Sequence, residues 1–205
     1  MTPPAVPQNA RQALLDAAKR IMAHTGFRAV GLNEVLSQAG VPKGSFYHYF
    51  SSKDAFGEAI MQDYFVSYLA NMDGIFADPA APAAERLLRY FEEFRARQSA
   101  DDFQSGCLVV TLGPEAANLT GPMRGELNSG VSQIIDRLEH LITAGVADKS
   151  MSSADPRSSA ETLYEMWVGA SIMAKINRNP ATFDTTMTAT RQHLKMASAV
   201  GRQPV

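Results

Sequence analysis

Two observations on the sequence predict an all-α chain of about nine helices. Apolar residues recur at helical spacing almost everywhere, and no stretch alternates apolar and polar residues as a half-buried strand would. Clusters of Gly, Pro, Asp and Ser stand between the periodic stretches and stop each helix in turn.

The first helix is predicted over residues 9–25, with Leu14, Ala17, Ala18 and Ile21 on one face. Gly26 follows as its stop, a residue tolerant of left-handed geometry. Short helices over about 32–39 and 43–49 flank Gly40-Val41-Pro42. Ser51 or Ser52 should cap the next helix, with Asp54 complementing its first turn. That helix reaches about Phe76 and carries Phe65, Leu69, Met72 and Phe76. Asp78-Pro79 through Pro82 break the chain before a helix with Leu87, Leu88, Phe91 and Phe94. Asp101 to Gly106 is a polar break, and Gly113-Pro114 and Gly121-Pro122 are two more interruptions. A helix over about 123–144 carries Val131, Ile134, Ile135, Leu138, Leu141 and Ile142. After a Ser-rich loop, Asp155-Pro156 reads as an N-cap followed by proline at the first helical position. The last two helices are expected over about 157–178, with Leu163, Trp167, Ala170 and Ala174, and over about 181–199, with Phe183, Met187, Thr190, Leu194 and Ala197.

At 205 residues the chain suits one large domain or two small ones, and 45% hydrophobic with 20% charged residues is ordinary for a globular protein. No stretch reaches the ~18 uncharged apolar residues of a membrane span. The Pro-rich first residues lack a signal-peptide core, and a single cysteine excludes an internal disulfide, so a reducing cytoplasm is the expected location. The net charge of −2 conceals an asymmetry. Residues 1–53 hold six basic residues (Arg11, Lys19, Arg20, Arg28, Lys43, Lys53) against Asp16 and Glu34, a net +4. The remainder holds 13 basic and 19 acidic residues, a net −6. A basic N-terminal quarter on an acidic body points to one end that meets a polyanion.

The segment Ala29 to Phe56, AVGLNEVLSQAGVPKGSFYHYFSSKDAF, carries the functional signal. Two helices of about two turns joined by a Gly-containing turn form a helix-turn-helix, whose second helix enters the major groove of double-stranded DNA. Lys43, Gly44, Ser45, Tyr47, His48 and Tyr49 supply that helix with small residues for close approach and polar ones for phosphates and base edges. Phe46 and Phe50, four apart, should anchor it from behind, and Lys53 can reach a flanking phosphate.

The run AGVPKGSFYHYFSSKDAF resembles the recognition helix of the TetR (tetracycline-repressor) family. That family's pattern reads Ala-Gly-Val-Ser-x-Gly-Thr-Leu-Tyr-x-His-Phe-x-Ser-Lys-x-x-Leu, and the likeness extends over residues 11–60. The resemblance implies a repressor that binds palindromic operator DNA as a homodimer and is released by a small-molecule effector. It places Ser45, Tyr47, Tyr49 and Lys53 on DNA-backbone positions, and Lys43, Gly44 and His48 where sequence is read. There are two departures. Gly31 stands where the family usually has Thr, so a hydroxyl-to-phosphate bond is missing, although backbone N–H groups there can still hold a phosphate. Tyr49 replaces the usual His.

Beyond residue 60 two islands, Ser105-Gly106-Cys107-Leu108 and Trp167-Val168-Gly169-Ala170 with Ala174-Lys175-Ile176, resemble the electrophile-responsive branch containing the repressor of N-ethylmaleimide reductase. That branch implies a sensor cysteine at Cys107. A thiolate reacts with an oxidant or an electron-poor alkene where a thiol hardly does, and a helix start or a cation such as Lys175 would favour it. Equally, Cys107 reads as a buried small hydrophobe ahead of Leu108, Val109 and Val110, leaving a repressor with a reversible ligand beside Phe91, Phe103 and Trp167. In the family the last two helices pair between copies, which puts Leu163, Ala170, Ala174, Met187 and Leu194 at a dimer interface; ordinary intramolecular packing is the plain alternative.

The domain plan is a tail over 1–8, a DNA-binding domain over 9–53, an effector-binding and dimerisation domain over 54–200, and a tail over 201–205. No enzyme is expected. His24, His48, His140 and His193 fall singly on different helices, and no phosphate loop, dinucleotide fingerprint or nucleophile elbow occurs. A thiol enzyme on Cys107 would need a histidine that the spacing does not supply. The acidic body argues against an architectural DNA binder. No cofactor, metal or membrane partner is expected.

Overall fold

The structure is a computed structural model that describes residues 9–27, 30–100 and 107–196. Among these residues are nine α-helices, one 3-10 turn and no strand. The tails, Arg28, the polar break before Cys107, Phe103 and Ala197 lie outside the described residues.

Packing divides the chain into two units, Met1–Tyr68 with Gln104–Gly130 and Leu69–Phe103 with Val131–Val205. The domain plan drawn by role breaks at residue 53, whereas the division by packing falls inside two long helices. Helix α4, Lys53–Phe76, has no interior proline, and α7, Gly121–Ala147, likewise runs through the second division.

The first unit begins with α1, Ala10–Thr25. Asn9 caps it by accepting the Gln12 N–H at 3.2 Å, and Gly26 ends it at φ +76°. Leu14, Ala17, Ala18 and Ile21 are all buried, as their spacing predicts. Helix α2, Leu32–Ala39, closes on left-handed Gly40, and the Val41 N–H returns to the Leu36 carbonyl at 3.0 Å. Pro42 then leads into α3, Lys43–Tyr49, and Ser52 accepts the Ala55 N–H to start α4. Cys107 precedes α6, Leu108–Leu112, which passes into a 3-10 turn over Gly113–Asn118. Gly121-Pro122 opens α7 rather than interrupting the chain, because proline is tolerated in a helix's first turn. Two glycines of this unit permit close approach: a Cβ on Gly57 would lie 2.7 Å from Met123, and one on Gly130 would lie 2.3 Å from the Phe65 ring.

The second unit packs α5, Ala83–Ser99, with α8, Pro156–Asn177, and α9, Ala181–His193, around the tryptophan. Trp167 stacks on Phe91 at 4.4 Å and on Phe183 at 5.9 Å, with Phe94 edge-on at 5.8 Å. Its indole N–H donates to the Thr190 hydroxyl at 3.0 Å, which in turn donates to the Thr186 carbonyl, so the buried polar atom is satisfied. The start of α5 is capped from the loop after α7: Asp148 accepts the Ala83 N–H at 2.8 Å and Ser150 accepts that of Ala84 at 3.1 Å. Those backbone and hydroxyl donors hold the Asp148 carboxyl below the usual aspartate range. Asp155 caps α8 with Pro156 at its first position, as expected. Helix α9 stops at His193, short of the predicted 199, because Lys195 turns left-handed at φ +47° and the Leu194 carbonyl leaves the helix to accept the Ser152 N–H.

Candidate nucleic-acid interface and sensor site

Helix α3 has two sharply different faces. Phe46 and Phe50 are 1% and 4% exposed and meet Phe56 at 5.1 and 4.7 Å between ring centres. Lys43, Gly44, Tyr47, His48 and Tyr49 face outward, Tyr47 at 61% exposure, while Ser45 is half-buried. An exposed tyrosine held edge-on against Phe46, 5.3 Å away, has its direction set by packing while its hydroxyl stays in water. Gly44 needs neither a positive φ nor room, since an added Cβ there would meet nothing within 4 Å. Glycine is therefore not demanded at 44 by this chain's own folding. Gly31 is exposed at the N-cap of α2 without a side-chain cap, as its lack of a hydroxyl requires.

The basic residues of this region are not all available to a polyanion. Lys19 pairs with Asp16 at 3.0 Å and with Asp63 more closely still. Burial alone would lower its pKa, but the two carboxylates outweigh that and raise it. Lys53 is exposed at the start of α4, its ammonium 5.5 Å above the Phe27 ring, and Arg11 lies 5.5 Å over Phe50. Lys43 and Lys53 thus remain at the surface on either side of the exposed aromatics.

Cys107 is 5% exposed at the N-cap of α6. The partner that the structure gives it within its own unit is Tyr64, whose hydroxyl lies 3.5 Å from Sγ and accepts the Leu108 N–H at 3.3 Å. Tyr64 was invisible to sequence reasoning, being 43 residues away on a helix whose periodicity marks only its apolar face. The segment after Cys107 also reaches the end of α1: the Glu115 carboxylate accepts the Phe27 N–H at 3.2 Å beside Gly26.

Of the aromatic residues expected beside an effector, Phe91 and Trp167 lie in the core of the second unit. Phe91 and Trp167 are each 1% exposed and stacked on one another, and Phe183 stacks on Trp167 as well. Lys175 is half-buried in the last turn of α8, in the second unit. The residues expected at a dimer interface pack within the chain, the plain alternative that the sequence left open. Leu163, Ala170, Ala174, Met187 and Leu194 are between 0% and 7% exposed in the single chain, because α8 and α9 turn these stripes inward. The exposed apolar residues of α8 are Ile172, Met173 and Ile176, at 41%, 46% and 68%. No helix among the described residues is long and apolar enough to cross a membrane.

Comparison with known proteins gives the same picture. The chain is 32% identical over 170 residues to the HTH-type transcriptional repressor NemR of Escherichia coli (strain K12), covering 82% of this chain and 85% of that protein. It is 34% identical over 197 residues to the transcriptional regulator AcuR of Cereibacter sphaeroides, covering 87% and 89%. The crystal structure of reduced E. coli NemR superposes with a TM-score of 0.86 at 30% identity, over 93% of this chain and all of that one. A regulatory protein TetR from Rhodobacter sphaeroides gives 0.85 at 30% identity, over 91% and 99%. Residues 83–190 match the tetracyclin repressor-like C-terminal domain, and residues 14–60 match the bacterial regulatory proteins of the tetR family. With both parts matched and a helix-turn-helix built as described, this chain belongs to the TetR family of transcriptional regulators.

Proposed function

We propose that the protein is a dimeric repressor whose α3 reads operator DNA and whose affinity falls when an electrophile or oxidant modifies Cys107. The observation that carries the DNA-binding part is the outward face of α3, with Gly44 open, Tyr47 exposed and two phenylalanines fixing the helix beneath. Lys43, Gly44 and His48 are the candidates for reading bases. Ser45, Tyr47, Tyr49, Lys53 and the backbone at Gly31 are the candidates for holding phosphates.

Two copies of α3 must meet major grooves one helical turn or a multiple of it apart. Ile172, Met173 and Ile176 are the candidates for the apolar contact between copies, being the exposed apolar residues of α8. For release, the route runs along one continuous segment: Cys107 opens α6, the 3-10 turn follows, and Glu115 in that turn holds the Phe27 N–H at the end of α1. An adduct on a cysteine that is 5% exposed must displace its neighbours, and coupling of ~1–3 kcal/mol would lower operator affinity about 5- to 150-fold.

The burial of Cys107 also suits a second reading, in which the thiol is structural and a reversible ligand releases the DNA. The experiment starts from a duplex selected out of a random pool by the purified protein. Tyr47→Ala should bind it more weakly, and Lys53→Ala should lower its salt slope by about 1. Binding unchanged in both variants rejects the docking. Treatment with N-ethylmaleimide should release the wild type and leave Cys107→Ser bound; release of both rejects the thiol sensor in favour of the second reading.

A further inference from the structure

We propose that the cleft between the end of α4, the first turn of α5 and the second half of α7 binds a small organic carboxylate through the guanidinium of Arg86. All of its residues belong to the second unit, and neither Cys107 nor α3 takes part.

The cleft has a volume of about 280 Å³. Buried Leu141 and half-buried Phe76 give it apolar walls, and the exposed His140 and Ala144 also line it. The Phe76 ring is held edge-on to Tyr90 at 5.6 Å.

Two arginines bring charge to the cleft, and they are used differently. Arg137 has its carboxylate: Nε donates to Asp73 Oδ1 at 2.7 Å and Nη2 to Oδ2 at 3.0 Å, a bidentate pair, while Nη1 donates to the Gln133 carbonyl at 3.2 Å. Arg86 reaches back from the first turn of α5, and its Nη1 donates at 2.6 Å to the carbonyl of Phe76, the last residue of α4. Its Nε is buried and has no hydrogen-bond partner among the described residues. A buried donor without an acceptor is costly, and it marks a place where an acceptor is gained. The edge that Arg137 gives to Asp73 therefore lacks its acceptor on Nε at Arg86. Nε lies below the surface, so a bidentate contact needs the guanidinium to tilt toward the cleft, which a single anchoring bond at Nη1 allows.

Charge and shape select the ligand class. Asp73 offsets Arg137. Asp148 is close enough to feel the Arg86 charge, yet its two oxygens are engaged by the Ala83 and Ser150 N–H groups at 2.8 Å each. One partly offset cation suits a monoanion better than a phosphate dianion, and the walls at Phe76 and Leu141 ask for an apolar body. The volume lies just under the range of roughly 300–1,000 Å³ that takes drug-sized molecules, so the fit is to an acid the size of benzoate. A purely structural Arg86 would cap α4 through Nη1 alone and bind no carboxylate.

Isothermal titration calorimetry on the full chain separates the two roles with three probes: benzoate, benzamide as the same shape without charge, and inorganic phosphate as charge without an apolar body. Benzoate should bind once per chain, and the other two about tenfold or more weakly. Arg86→Gln should weaken benzoate by about tenfold or more, and so should Ala144→Phe, which fills the cleft and leaves Arg86 in place. Far-UV circular dichroism shows whether each variant is folded; if loss of the bond to Phe76 unfolds Arg86→Gln, Ala144→Phe decides. No binding of benzoate to the wild type, equal binding of benzamide or phosphate, or wild-type affinity in any folded variant overturns the proposal.

Discussion

Replacing Gly26 with alanine, alone and together with Glu115→Ala, measures how strongly the segment after Cys107 is fastened to the end of α1. Gly26 has φ +76° and ψ 171°, a region open to glycine and costing other residues about 1–3 kcal/mol. An alanine Cβ would also lie 2.3 Å from Glu115 Oε1 and 3.0 Å from its carboxyl carbon. The carboxylate is the far end of a flexible side chain, so it can swing away, but it then loses the Phe27 N–H. A hydrogen bond to a charged group in a part-buried site is worth about 1–2 kcal/mol. Gly26→Ala should therefore cost about 2–5 kcal/mol and Glu115→Ala about 1–2 kcal/mol. In the double variant the hydrogen bond can be lost only once, so the combined cost should fall short of the sum by about 1–2 kcal/mol. Urea denaturation followed by far-UV circular dichroism gives the four stabilities, and exchange of the Phe27 amide should quicken about 5- to 30-fold in Glu115→Ala. Additivity within about 0.5 kcal/mol would refute the claim that the carboxylate both fills the space beside Gly26 and holds Phe27.

Gly44→Ala should raise the urea midpoint, since alanine gains up to about 1 kcal/mol in a helix, while weakening binding to the selected duplex about tenfold or more; unchanged affinity would mean that close approach is not needed there. The Asp148 carboxyl is held below its usual value by the Ala83 N–H and Ser150. Its contribution is present above the unfolded value of about 3.9 and is lost as pH falls through the lower folded value. Asp148→Asn should thus be less stable than wild type at pH 7, with the difference shrinking progressively below about pH 4 in urea titrations. Thr190→Val keeps the shape of the side chain but leaves the buried Trp167 N–H without its acceptor, which should lower stability by about 1–3 kcal/mol in the same assay.

Helix α3 was legible to the residue because its signals are local: Pro42 before it, Phe46 and Phe50 one turn apart, and polar residues between them. The caps at Gly26 and Asp155 were readable for the same reason, whereas Asn9 was placed in the first helix and proves to be its cap. The end of α9 was not, because Lys195 carries no turn signal and its left-handed backbone follows from tertiary hydrogen bonds, including that from Ser152 to Leu194. Apolar periodicity also cannot say what covers a stripe, which is why Leu163, Ala170, Ala174, Met187 and Leu194 were open to a second copy or to the chain itself, and α8 and α9 bury them within the chain. For Phe91 and Trp167 the same limit holds: aromatic residues lining a pocket and aromatic residues filling a core have one sequence pattern. Tyr64 beside Cys107 is a meeting of distant segments, for which no single-sequence signal exists.

The enclosed indole of Trp167 has a practical consequence. It is the chain's one tryptophan, so light absorbed near 295 nm and re-emitted comes from a single place between α5, α8 and α9. Far-UV dichroism sums over both units, whereas this emission follows the second alone. Comparing the two during denaturation reveals, without any dye or label, whether the halves of the molecule come apart together or in sequence.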